Sequence, residues 1–172
     1  MDVLEMTQAT FQELEEELET GLEGLSAQEL AWRPSEGANA IGFTLWHVTR
    51  AEDHWISRFA LQKPTVFESG EWPERWNIPA KDTGFNYGEE ELARFPTPTV
   101  DELWEYRHAV RNQTSKYVKG LSQTDFAFKP RPDHPRNQNR TIGSMFTHLF
   151  CEIGQHVGHV RYIRGLQRGI NG

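Results

Sequence analysis

The chain has a single cysteine, Cys151, among 172 residues, so no intramolecular disulfide can form and a reducing cytoplasm is the expected compartment. It has no apolar run approaching the roughly 20 residues that span a bilayer, and no membrane association is expected. Its first stretch, MDVLEMTQATFQELEEELE, is acidic and lacks the basic-then-apolar order of a secretory signal. A concentrated basic surface is also missing. The formal net charge is −7, and the one locally basic run, Arg131 to Arg140, is broken by Pro132 and Pro135 and reads as a solvated loop. Neutralising phosphates needs more, so nucleic acid is excluded as a partner. Aliphatic residues are scarce too, at 37% total hydrophobic content, but six Trp and ten Phe supply buried area through aromatic rings.

What is present is organised as a repeat. GLSAQELAWRP (24–34) returns as GLSQTDFAFKP (120–130), matching at Gly, Leu, Ser, acid, Ala, aromatic, base and Pro. After a loop, AIGFTLWHV (40–48) returns as TIGSMFTHL (141–149), which sets His47 opposite His148. Self-similarity of this kind implies one supersecondary unit used twice. Leu4, Phe11, Leu14, Leu18 and Leu22 have the spacing of a buried helical face, predicting a first helix over about residues 2–21. A second helix is predicted after Asn39, read as its N-cap, carrying Ile41, Leu45, Val48, Ala51, Trp55 and Phe59 until Pro64. A third opens with the capping box Thr99/Glu102 and runs to Gly120, and a fourth spans Thr141 to Leu166. Ser26 with Glu29, and Ser122 with Asp125, suggest a further short turn in each repeat. Four long amphipathic helices in two similar pairs predict an all-α fold, a four-helix bundle forming a single domain over residues 1–172. The connection 63–98, with Trp72, Trp76, GFNYG and FPTPT, shows no helical period. It reads as a packed loop over one end of the bundle.

The chemistry lies in THLFCEIGQHVGHVRYIRGL, residues 147–166. His148, Glu152, His156 and His159 fall at intervals of four, four and three, the intervals that stack side chains on one helical face. Beside them run Leu149, Ile153, Val157, Val160 and Ile163, so the polar arc borders the core. Partly buried ionisable groups cost several kcal/mol when left unpaired, roughly, and a divalent cation satisfies them directly. A carboxylate and an imidazole one turn apart clamp an ion, and a third ligand from a facing helix completes the set. His47, among Leu45, Val48 and Ala51, is the candidate. Three protein ligands leave a coordination position open, as catalytic sites require. A non-catalytic bundle would instead saturate the ion with His159 or His148, and a metal-free one would let the histidines satisfy one another.

LWHVTRAEDHW (45–55) together with HLFCEIGQHVGH (148–159), the helix order and the long second connection resemble the DinB/YfiT-like superfamily of four-helix bundles with a metal site. The resemblance covers nearly the whole chain. It implies that His47, Glu152 and His156 hold the metal, zinc first and nickel, iron or manganese as alternatives. Glutamate at position 152 is similar to the branch of mycothiol-dependent maleylpyruvate isomerases, although that branch's second, C-terminal domain is not visible here. The implied activity is a metal-dependent transfer or conjugation using a low-molecular-weight thiol, with a small-molecule substrate and a homodimeric assembly. Metal-dependent hydrolysis and a stress-associated binding role are the alternatives. In the thiol reading, His159 or His148 accepts the proton, and Trp46, Trp72, Trp76 and Tyr87 are candidates for an apolar substrate wall. Cys151 is read as a packed or semi-exposed thiol outside the ligand set.

Overall fold

A computed structural model describes residues 1–169. Its first helix, α1 (Val3–Leu22), starts on a capping box in which Asp2 accepts from the amides of Leu4 and Glu5 while Glu5 reaches back to the Asp2 amide. Phe11, Leu18 and Leu22 face the core, and Gly21 lets α1 approach the fourth long helix, where an added Cβ would lie 3.0 Å from Val160 Cγ1. The short α2 (Ala27–Ala31) carries the expected Ser26/Glu29 box. The central helix α3 (Ile41–Asp53) begins one residue later than expected. Ala40 is its extended N-cap residue, and no side chain makes the cap bond, so Asn39 lies just outside the turn it was expected to close. Thr44 supplies the local bonding instead, through both its amide and its hydroxyl to the Ala40 carbonyl.

Beyond Asp53 the helix continues as a π-helical stretch, His54–Ala60, and then stops before Pro64 as expected. The connection that follows is packed, and it contains three short helices: α4 (Val66–Ser69), α5 (Trp72–Trp76) and α6 (Glu89–Arg94). Four to six residues are too few to display a 3.6-residue period, so the pattern of the sequence could not show them. Phe67, Trp76, Ile78 and Leu92 are buried, with α4 lying against α3 and the next long helix. That helix, α7 (Val100–Lys119), opens on the Thr99/Glu102 box. A 3₁₀ turn, Gln123–Ala127, stands where the repeat predicted its short element, and α8 (Ile142–Arg168) closes the described chain.

α1, α8, α3 and α7 pack in that cyclic order, each against its two neighbours, giving the four-helix bundle. Among the described residues there is no strand, and no helix is long and apolar enough to cross a membrane. The low aliphatic content has a counterpart in the interior: α3 buries Arg50, Glu52 and Asp53 along with its apolar side chains. Glu52 meets Arg107 and Arg111 of α7 at 3.1 Å and accepts from Thr114 at 2.7 Å, while Glu15 of α1 pairs with the same two arginines. Four charges therefore balance across three helices, which is the condition for burying any of them.

Candidate metal centre

Both halves of the site come from rigid helices. Glu152 and His156 stand one turn apart on α8, and His47 faces them from α3. His156 Nε2 lies 3.3 Å from Glu152 Oε1, and His47 Nε2 lies 3.7 Å from the same oxygen. One ligand atom from each of the three residues falls within 4.8 Å of the others. The two imidazoles meet edge to face, with centroids 4.9 Å apart and planes at 78°. All three side chains are partly buried, at 13%, 26% and 12% exposure for His47, Glu152 and His156, so the group is accessible from one side only.

His47 is held by its surroundings. Its ring stacks on Phe43 at 5.8 Å with an 8° interplanar angle. Its Nδ1 lies 2.6 Å from the carbonyl oxygen of Thr83, which can only accept, so Nδ1 carries the proton and donates. In the neutral ring Nε2 is then a bare lone pair, and it points at a carboxylate oxygen. Two acceptors facing each other repel unless a proton or a cation stands between them. With a proton in that place, hydrogen bonds from His156 first and His47 second hold Glu152 well below the usual carboxylate range against its partial burial. An ionised carboxylate, a tautomer-fixed imidazole and a second imidazole form a donor set suited to a divalent cation.

The Thr83 carbonyl is itself positioned by a second buried network that the sequence reading missed. Arg50, 1% exposed, donates from Nε to the Asp82 carbonyl at 2.8 Å and from Nη2 to the Ala80 carbonyl at 3.1 Å. Its Nη1 reaches Asp53, Thr65 and Tyr106, each at 3.3 Å. Asp53, fully buried, accepts from the amides of Val66 and Phe67 and from Tyr106 and Ser57. Gly84 completes the turn at φ +72°, where an added Cβ would lie 2.7 Å from Trp46 and 2.9 Å from Phe43. Asp82 accepts from the Gly84 amide and from the Tyr87 hydroxyl. In LWHVTRAED the letters R and D stand three apart, and only their complete burial reveals that they pin the connection to the bundle.

The remaining sequence candidates separate. His159 is exposed and its ring lies 5.3 Å from that of His156; partial burial first, and the His156 charge second, press it toward the neutral form. His148 is outside the three-residue group and meets Trp55 edge to face, at 5.0 Å and 73°. Cys151 is exposed. Of the four aromatics considered for a substrate wall, Trp46 and Trp76 are core residues at 0% and 5% exposure. Trp72 packs on Tyr106, and Tyr87 stacks on Phe43, the ring that also stacks on His47. A core short of aliphatic residues takes the large rings for itself.

Residues 10–160 match the DinB superfamily. The chain belongs to that superfamily. A solved DinB-like fold, described as the crystal structure of the conserved protein of locus from Enterococcus faecalis, superposes with a TM-score of 0.83. It is 19% identical, and the superposition covers 96% of this chain and 97% of that one, so the likeness shows the fold. No curated protein matches the chain. Superfamily membership supports a metal-binding DinB-like protein, and His47, Glu152 and His156 are the only such group of three among the described residues.

Proposed function

We propose that His47, Glu152 and His156 hold one divalent cation, zinc first among the candidates, and that the protein is a metal-dependent transferase acting on a small molecule with a low-molecular-weight thiol as cosubstrate. The observation that carries the metal reading is the bare Nε2 of His47 aimed at the Glu152 carboxylate within reach of His156. The thiol follows from the resemblance of the sequence to thiol-using members of the superfamily. When bound, the cation supplies Lewis acidity at its open position and lowers the pKa of a thiol entering there.

The chain's own residues do the rest. Glu152 contributes the negative charge that anchors the ion, and Thr83 keeps His47 from rotating out of the set. His159 takes the thiol proton, since it stands beside His156 and is open to solvent, whereas His148 is engaged with Trp55. Sulfur then bonds to an electrophilic carbon of the acceptor, and the leaving group departs with its electron pair, taking the proton from His159.

The test is metal content by mass spectrometry on protein purified without a metal-affinity tag. About one metal per chain, lost in both His47→Ala and Glu152→Ala, is the expected result. A stoichiometric metal retained in both variants would refute the ligand set. Cobalt(II)-substituted protein then decides the nucleophile. A sulfur-to-cobalt charge-transfer band on adding a small thiol supports the transferase reading. Its absence, with thiol-independent turnover of an ester, would make the protein a hydrolase.

A further inference from the structure

A cavity of about 280 Å³ opens beside the connection, lined by Arg50, His54, Arg58, Thr65, Glu68 and Lys81. Two turns of α3 separate its His54 from His47, and none of the proposed metal ligands lines it. Three permanent cations face a single carboxylate in a chain whose net charge is −7. The pairings cancel all but one of these charges. Asp53 offsets Arg50 from beneath, its oxygens already engaged by the Val66 and Phe67 amides, Ser57 and Tyr106. Glu68 pairs with Arg58 and is also tied to the Thr65 amide and hydroxyl as the cap of α4. Lys81 is left with no hydrogen bond or ion pair among the described residues.

The floor is built for an anion in a second respect. A guanidinium has five donors, and Nη2 of Arg50 directs only one bond, to the Ala80 carbonyl. Arg50 is 1% exposed and lines the cavity, so its guanidinium is held in place there, and the exposed Lys81 lines the same space. His54 senses the resulting field. Its proton affinity is lowered by burial first, then by Arg50 and Arg58, whose repulsion outweighs the attraction of Asp53 and Glu68. Lys81 faces the same space from the connection.

We propose that this cavity binds a small oxyanion, the carboxylate or phosphate group of a soluble small molecule, between Lys81, Arg58, His54 and the Nη2 donor of Arg50. The volume, about 280 Å³, admits one such group with a short organic tail. Charge-assisted bonds to planar guanidinium and to ammonium are the chemistry that recognises both anions. None of the proposed metal ligands lines the cavity, although Arg50 also holds the turn that carries Thr83.

The experiment follows the ring C–H resonances of His54 by NMR while inorganic phosphate, and separately succinate, is added to the metal-free protein at constant ionic strength. A saturable shift with either anion, and an upward move of the His54 titration midpoint, are expected. Which anion saturates at lower concentration tells a phosphate ligand from a carboxylate one. Lys81→Ala, an exposed position that leaves the fold intact, should weaken the affinity roughly three- to fivefold. Lys81→Glu should weaken it further, and His47→Ala should leave it unchanged. No saturable shift, or an equal one in Lys81→Ala and Lys81→Glu, would overturn the proposal, as would its loss in His47→Ala.

Discussion

Because the Thr83 carbonyl accepts the hydrogen bond from His47 Nδ1, the candidate centre depends on a turn outside the group of proposed ligands. Gly84 is the residue that permits the turn, with its positive φ and with Trp46 and Phe43 crowding its Cα. Gly84→Ala is expected to cost about 1–3 kcal/mol of stability through backbone strain and collision with the rings. Metal affinity should fall by about tenfold or more, the scale of losing the group that orients a ligand histidine. Urea denaturation and a competitive metal titration measure the two effects separately. An unaltered affinity in a folded variant would mean that the Thr83 bond does not orient His47. At this scale the i, i+4 spacing singled out Glu152 and His156, and the apolar neighbours of His47 singled it out as the third member of the group the structure brings together. Arg50, Asp53 and Thr83 were not, because a backbone acceptor leaves no trace in the residue letters and a buried ion pair looks like any polar pair in a helix.

Among the elements, α7 is tied to α1 and α3 by charges as well as by apolar packing. Arg107 is fully buried between Glu15 and Glu52. Arg107→Met should cost about 3–5 kcal/mol, since it strands Glu52 with Arg111 as its only cation. Adding Glu52→Gln should recover part of that loss, because Gln keeps the Thr114 bond without the charge. A double-mutant cycle in urea checks the coupling, and additive losses would contradict it. The cap of α4 predicts a pH dependence. Burial opposes ionisation of Glu68, but the Thr65 amide, Arg58 and the Thr65 hydroxyl outweigh it and hold the pKa at about 2, from 4.5. A depressed carboxylate contributes stability that is complete above pH 4.5 and lost as pH falls toward about 2. Glu68→Gln should therefore be less stable than wild type at pH 6, by no more than a few kcal/mol, and the gap should narrow as pH falls from 4.5 and close only below about 2. A gap that persists at low pH would show that shape, and not charge, matters there. The long helices were readable because each spans several periods, and the Thr99/Glu102 box of α7 was read with them, whereas the caps of α1 and α8 were not and Asn39 does not cap α3; α4, α5 and α6 were not readable, because each spans hardly one period.

Across the whole molecule, the repeat seen in the sequence reappears in space. His47 meets His156 at 4.9 Å and 78°, and His148 meets Trp55 at 5.0 Å and 73°. His148 is the repeat counterpart of His47, and the same offset carries His156 onto Trp55 and Glu152 onto Ala51. The repeat thus sets a counterpart of the candidate metal site beside His148 and Trp55. The counterpart has one histidine and the ring geometry but lacks the carboxylate and the second imidazole. Ala51→Glu with Trp55→His is expected to raise the capacity from about one metal to about two per chain, measured by mass spectrometry on reconstituted protein. An unchanged capacity in a folded variant would limit the likeness of the two places to the backbone. The repeat leaves two pairings of α3 with α8, one gathering the candidate metal ligands and the other free of the charges such a site needs.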